Sequence, residues 1–274
     1  IIRKEGMVRI LYTYHTRIYM LIAFDIGNTH IVTGILDDKG NLITSFRIAT
    51  KDNITEDELF SYLKNITDFN GIKLTNVSGV IVSSVVPGLI RICDYLAKKY
   101  FNLTPLIINL DLKLPFTFAK GLNNSGFGAD RIIDIVEGLR LHPNKDLVVF
   151  DFGTATTYEI LIDNIYVGGG ILPGINMSIN SLFGNTAQLP KVKFEDPHTI
   201  AGKDTVEQIQ AGIFYGYTGQ IKEIIRKIKE IYPDVYILAT GGLGGIITKE
   251  VSCIDEYLPD LSIEGMYSVW LENK

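Results

Sequence analysis

Two short segments, about half the chain apart, constrain this sequence more than anything else in it. Phe24-Asp25-Ile26-Gly27-Asn28-Thr29 and Phe150-Asp151-Phe152-Gly153-Thr154-Ala155-Thr156-Thr157 each end a short apolar run, place an Asp two residues ahead of a Gly, and follow it with Thr. A carboxylate can hold a cation, and a tight glycine turn lets backbone N–H groups and hydroxyls close on phosphate oxygens. A single copy would equally fit an aspartate that tightens a hairpin. Two copies at a domain's spacing point to a nucleotide held between two related halves.

At 274 residues the chain can form one large or two medium domains. Its net charge of −5 comes with no basic block, which argues against nucleic acid and against an anionic membrane as partners. An anionic ligand must therefore be drawn in by local groups. Cys93 and Cys253 are isolated and lack metal-ligand spacing, so neither a structural zinc site nor a disulfide framework is expected. No apolar stretch approaches the ~20 residues of a membrane span, and a cytoplasmic protein is expected. Residues 1–19 carry Arg3, Lys4, Arg9 and Arg17 without a signal-peptide core. They read as an extension ahead of a functional chain that starts at Met20, with an N-terminal strand or arm as the other reading.

Continuous apolar strands are expected at Leu21–Phe24, Val80–Val82, Leu147–Phe150 and Val235–Ala239, each delivering a polar residue at its end. Helical stretches are expected from Glu56 to Asn65, Gly88 to Tyr100, Arg131 to Leu141 and Thr205 to Tyr232. In the last, Ile221, Ile224, Ile225 and Ile228 make a core-facing stripe. Turn clusters at 37–41 and 163–164 suggest hairpins after both Asp motifs. The pattern is a two-unit duplication, α/β in class, with a central mixed sheet in each half. The boundary is expected near His142 to Asp146, giving units 20–143 and 144–274.

Several residues can carry chemistry. Asp25 with Gly27, Asn28 and Thr29 suits a magnesium-linked carboxylate and a phosphate turn. Thr154, Thr156 and Thr157 offer hydroxyls, and alternate threonines are expected to face cleft and core. Asp130 and Arg131 stand where a helix begins. The acid can take a hydroxyl proton while the guanidinium holds an anion, or Asp130 is simply an N-cap. Gly168 to Gly174 allows close backbone approach or marks a bulge. Thr240 to Gly245 fits a flat slot for a base or phosphate, or a turn into a helix. His30 adjoins the first motif and either lines the cleft or lies at the surface.

With these residues in hand, the sequence resembles the type III pantothenate kinases of the acetate and sugar kinase/Hsp70/actin superfamily. The resemblance runs from about Met20 to the C-terminus. It rests on Asp25-Ile26-Gly27-Asn28-Thr29, Ser84-Val85-Val86-Pro87, Gly128-Ala129-Asp130-Arg131, Asp151 to Thr156, Gly169 to Gly174, Thr186-Ala187-Gln188-Leu189-Pro190, Gly202 to Thr205, Gln210 to Gly212 and Pro259 to Leu261. It implies two duplicated actin-like (ribonuclease H-like) domains with a cleft between them, and ATP-dependent phosphorylation of pantothenate, the first step of coenzyme A synthesis. It further implies that Asp25, Ile26, Gly27, Asn28, Thr29, His30, Ile31 and Val32 bind ATP phosphates and Mg²⁺, with Thr154 on the nucleotide. Gly128, Ala129, Asp130, Arg131 and Thr186 would contact pantothenate, Asp130 as the base and Arg131 on the carboxylate. Asp151 would bind a monovalent cation, K⁺ or NH₄⁺, and the chain would form a homodimer.

One stretch departs from the family's pattern. The family places Tyr-x-x-Pro shortly before the Gly128–Arg131 motif, with its tyrosine on the substrate. Here Gly121-Leu122-Asn123-Asn124 stands in that place. A kinase for another small hydroxy acid, and a nucleotide-binding regulatory protein on the same fold, are the rival readings.

Overall fold

The computed structural model describes residues 19–184, 189–190 and 192–274. The expected extension, apart from Tyr19, and Thr186 lie outside the described residues. The first half builds β1 (Met20–Ile26), β2 (His30–Leu36), β3 (Leu42–Ala49), helix α1 (Glu56–Phe69), β4 (Val77–Ser84), α2 (Pro87–Leu96) and β5 (Leu106–Ile107). An edge strand, β6 (Thr117–Phe118), and helix α3 (Ala129–Leu141) lead into the second half. That half contains β7 (Leu147–Phe152), β8 (Ala155–Ile162), β9 (Ile165–Pro173), α4 (Ile175–Gly184), α5 (Thr205–Ile231), β10 (Tyr236–Thr240), α6 (Gly244–Glu250), β11 (Glu256–Tyr257) and α7 (Leu261–Asn273).

Local chemistry accounts for the element ends. Asp37 accepts hydrogen bonds from the Lys39 and Asn41 backbones at 2.9 and 2.8 Å, and Gly40 takes φ +85°, which closes the expected β2–β3 hairpin. Thr55 caps α1 by accepting from the Glu58 N–H at 3.1 Å. Pro87 opens α2 at its first turn, where a missing N–H costs nothing. Asp204 caps α5 through the Glu207 N–H at 2.9 Å.

The expected duplication is present, with β6 as one extra edge strand on the second sheet. One sheet runs β3-β2-β1-β4-β5 and the other β11-β10-β7-β8-β9-β6. In each, the Asp-bearing strand pairs antiparallel with the next strand and parallel with a later one. Asp25 stands opposite Val32 and Ser83, while Asp151 stands opposite Thr157 and Thr240. Helices α1 and α2 cover the outer face of the first sheet around Phe24, Leu59 and Leu89. Helices α4, α5 and α6 cover the outer face of the second around Phe150, Ile221 and Ile247.

Between the sheets lies one shared layer. Ile132, Ile135 and Val136 of α3 pack with Leu261, Met266 and Val269 of α7, against Leu21 and Ala23 on one side and Leu147 and Val149 on the other. The two helices come close enough that a Cβ on Gly265 of α7 would collide with the Ile133 carbonyl oxygen of α3. By helix propensity alone, Gly265→Ala would gain about 1 kcal/mol. Overpacking against backbone, which cannot rotate away, costs about 1–3 kcal/mol and outweighs it. Gly265→Ala is therefore expected to lower the denaturant midpoint of unfolding rather than raise it.

Candidate functional site

Strand alternation directs the two aspartates toward each other. On β1, Leu21 and Ala23 face the α3–α7 layer, whereas Ile22, Phe24 and Ile26 face the outer helices. Asp25 continues the inner series. On β7, Leu147 and Val149 face the same layer and Val148, Phe150 and Phe152 face outward, so Asp151 also points inward. Both sit at the C-terminal ends of strands that pair in parallel, the usual ligand edge of an α/β sheet.

The turn after Asp25 is short and heavily pinned. The Gly27 N–H donates to the His30 carbonyl at 2.9 Å, and the Thr50 hydroxyl donates to the Gly27 carbonyl at 2.7 Å. Asn28, Thr29 and His30 are exposed on it. Ile26 and Ile31 bury their side chains in the core, which leaves only their backbone for a ligand, and Val32 is half-buried beside them. The Thr29 and Thr154 hydroxyls lie 2.9 Å apart, so the two motif turns touch across the mouth of the cleft. Thr154 is exposed there, ahead of β8, while buried Thr156 receives the Tyr217 hydroxyl.

Asp151 is framed by glycines. A Cβ on Gly153 would lie 3.0 Å from its Oδ2, and one on Gly241, at φ +91°, would collide with its Oδ1. The Thr240 to Gly245 loop thus closes on Asp151 before entering α6. The flat slot considered for this loop is already filled on one side: Tyr257 donates to the Gly241 carbonyl at 3.0 Å and lays its ring over Gly244 and Gly245.

At the start of α3 the N-cap is Gly128, with φ −67° and ψ 148°, and Asp130 is already inside the first turn. Asp130 is therefore no N-cap. Its Oδ1 accepts the Arg131 N–H at 2.8 Å and lies so close to Gly128 that any Cβ there would collide with it. Its Oδ2 has no hydrogen-bond partner among the described residues. Ala129 is buried behind it. Arg131 is bound on one edge: Nε and Nη2 donate to Glu159 at 2.6 Å each, and Nη2 also donates to the Tyr166 hydroxyl at 2.7 Å.

The structure brings Asp25, Asp130 and Asp151 within electrostatic reach of one another and adds a fourth carboxylate, Asp134. Burial pushes the Asp25 carboxyl up to about 6, eased by the Ser83 hydroxyl and reinforced by the Asp130 charge. Ser83 stands opposite Asp25 but makes no hydrogen bond of good geometry. Burial pushes Asp151 up to about 7, with the Asp130 and Asp25 charges adding to it. Asp134 is held well above the usual carboxylate range by burial first and the Asp151 charge second, against a 2.7 Å hydrogen bond from Ser262.

Sequence reasoning missed Asp134 and Glu159. The signal for Asp134 was its place one helical turn after Asp130 on the same face. That for Glu159 was a lone acid on the inner face of a strand, two residues past Thr157.

Buried carboxylates without a cationic partner suit a cation brought in with phosphate, since Mg²⁺ commonly uses one or two carboxylates plus phosphate oxygens. Among the described residues no three His, Cys, Asp or Glu side chains form a ready metal cage. Arg47 of β3 brings a guanidinium to within 4.0 Å of where a Cβ on Gly242 would stand.

Comparison with known proteins follows the same line. A family model described as type III pantothenate kinase matches residues 21–227. The type III pantothenate kinase of Fusobacterium nucleatum subsp. nucleatum is 57% identical over 256 residues, covering 93% of this chain and 100% of the relative. That of Bacillus cytotoxicus is 37% identical over 256 residues, covering 93% and 97%. Among solved structures, a Baf family protein of Campylobacter jejuni aligns with TM-score 0.55 at 20% identity, covering 92% of this chain and 98% of that one. The activator of 2-hydroxyisocaproyl-CoA dehydratase from Clostridium difficile, with bound ADPNP, aligns with TM-score 0.54 at 12% identity, covering 92% and 95%. At such identities the structural likeness concerns the fold alone, and that fold is the duplicated actin-like α/β architecture.

The raised carboxyls carry a pH prediction. The folded values of Asp25 and Asp151 lie above the ordinary 3.8 of an aspartate, so the folded state binds protons more tightly than the unfolded one. Their contribution to stability is fully present below about pH 4 and is lost as pH rises through about 6 and 7. Without divalent or potassium ions, Asp151→Asn is expected to be more stable than wild type at pH 8, and the gap is expected to shrink toward pH 5. Urea denaturation at both pH values, with and without added cations, checks this.

Proposed function

The chain belongs to the type III pantothenate kinase family, and from that membership and the acidic cleft we infer that it uses ATP to phosphorylate pantothenate, giving 4'-phosphopantothenate in the first step of coenzyme A synthesis. The observation that carries the reading is the convergence of Asp25 and Asp151, on the inner faces of two copies of one strand unit, with Asp130 in the first turn of α3.

In this reading the turn Gly27-Asn28-Thr29 and Thr154 bind the ATP phosphates, with Ile26, His30, Ile31 and Val32 completing the wall around them. Asp25 holds Mg²⁺, which when bound neutralises phosphate charge. Asp151 holds a monovalent cation, K⁺ or NH₄⁺; its raised carboxyl and the lack of a cationic partner among the described residues support that role. Asp130 accepts the proton of the pantothenate hydroxyl. Its Oδ2, without a hydrogen-bond partner among the described residues, supports this, as does its place in the first turn of α3. Arg131, flanked by Gly128 and Ala129, meets the substrate carboxylate, and Thr186 is assigned to the substrate by resemblance. Phosphoryl transfer is mostly positioning and charge neutralisation, so this set suffices.

The units 20–143 and 144–274 are read as the two jaws of the cleft. A homodimer is favoured by the exposed apolar side chains of Ile171 and Met177, where β9 leads into α4. No described helix is long and apolar enough to cross a membrane, in keeping with a cytoplasmic setting where ATP is supplied. A kinase acting on another hydroxy acid is the second reading, favoured by Gly121 to Asn124 in place of the family's tyrosine segment.

Purified protein with ATP, Mg²⁺ and K⁺ is expected to release ADP only when pantothenate is added. Asp130→Asn is expected to lower kcat by about 100-fold or more with little change in stability. Replacing K⁺ with Na⁺ is expected to reduce turnover in wild type and to have little effect on the residual rate of Asp151→Asn. Turnover with another hydroxy acid but not with pantothenate would select the second reading.

A further inference from the structure

Arg131 is held more firmly than an ion pair with a substrate requires. Its guanidinium makes a two-armed contact with Glu159, both arms at 2.6 Å, and Glu159 is only 2% exposed. The Tyr166 hydroxyl accepts a further bond from Nη2 at 2.7 Å, and the Phe127 ring lies under the guanidinium at 4.0 Å. Phe127 and Tyr166 are themselves packed edge to face at 5.0 Å, with Phe118 against both at 5.2 and 5.5 Å. Phe118 is fixed because β6 pairs with β9, opposite Tyr166. Gly169 makes the knot possible: a Cβ there would lie 2.8 Å from Glu159 Oε2 and 3.0 Å from the Tyr166 hydroxyl, and would collide with the Tyr158 carbonyl.

We propose that Glu159 is a positioning residue which, with Tyr166 and Phe127, locks the Arg131 guanidinium so that its Nη1 group is the one left to meet a substrate carboxylate. The inference rests on the reading of Arg131 as the carboxylate-binding group. Its physical basis is directional. A guanidinium whose Nε and Nη2 are taken cannot form the usual two-armed grip on a second carboxylate. It offers a single amino group, and the strength of that contact depends on where the plane is held. Glu159 also offsets the Arg131 charge, so orientation rather than bulk attraction selects the substrate. Asp130, the next residue on α3, ties this orientation to that of the base.

The test compares wild type with Glu159→Gln, which keeps the shape but can accept on only one arm, and with Tyr166→Phe. Two substrates are used: pantothenate, and the analogue whose carboxylate is replaced by a hydroxymethyl group. Glu159→Gln is expected to raise the KM for pantothenate about 10-fold or more while leaving kcat and the KM for ATP within about twofold. The KM for the uncharged analogue is expected to be the same in variant and wild type, and Tyr166→Phe is expected to show the same selective effect in smaller measure. An unchanged or lowered KM for pantothenate in Glu159→Gln overturns the proposal, as does an equal rise for both substrates, which would mark a merely structural ion pair. Wild type inactive with pantothenate would overturn the function reading itself. Wild type active with a flat response in Glu159→Gln overturns only the role of Glu159.

Discussion

The close packing of α3 on α7 is the constraint on which the rest of this protein depends. Both sheets use that helix pair as their inner cover, so the position of one half relative to the other is set by how near two backbones can come. Gly265 against the Ile133 carbonyl defines the nearest point. Asp134 and Glu137 on α3 are then tied to Ser262 and Ser268 on α7 at 2.7 and 2.6 Å. These bonds fall on buried carboxylates, which would be costly without partners. Helix α3 also carries Asp130 and Arg131 at its start. The contact that joins the halves therefore fixes the height at which the Asp130 carboxylate and the Arg131 guanidinium enter the cleft.

Placing carboxylates on a shared inner face has an electrostatic consequence. Asp25, Asp134 and Asp151 are each biased upward by neighbouring carboxylates, and Arg131, the cation built beside them, is largely offset by Glu159. A cleft of that sign repels phosphate until cations arrive. Under the proposed function the protein alone is thus an incomplete site, and its affinity for an anionic nucleotide would be bound to the cations that accompany it. Burial makes this coupling strong, because charges in a low-dielectric site are poorly screened.

Much of this was legible in the residues. The apolar runs before Asp25 and Asp151 gave the two key strands, and the repeated Asp-x-Gly turn gave the duplication, because both are local features with a fixed period. What escaped was set by contacts distant in sequence. Whether Asp130 or Gly128 caps α3 turns on a two-residue shift that spacing does not resolve; the extended backbone of Gly128 decides it. Asp134 gained its role from α7, more than a hundred residues later, which covers that face of α3. Glu159 stood in a β-branched strand with no mark of its partner, since Arg131 reaches it from a different element. In the loop Thr240 to Gly245, Gly241 makes room for Asp151, and Gly244 and Gly245 make room for Tyr257, which comes from a later strand.

The glycines around Glu159 and Asp151 share one logic. At Gly169, Gly153 and Gly241 a side chain would intrude on a carboxylate or on the groups that hold it. The second copy of the strand unit spends its conformational freedom on making room for acids, whereas the first spends it on a tight turn at Gly27 that leaves Asn28 and Thr29 exposed. The two halves began as one pattern, yet their departures are complementary. One presents donors at the cleft mouth and the other shelters charge at its floor, and under the proposed function that division would let a single cleft take both a polyanion and the cations it needs.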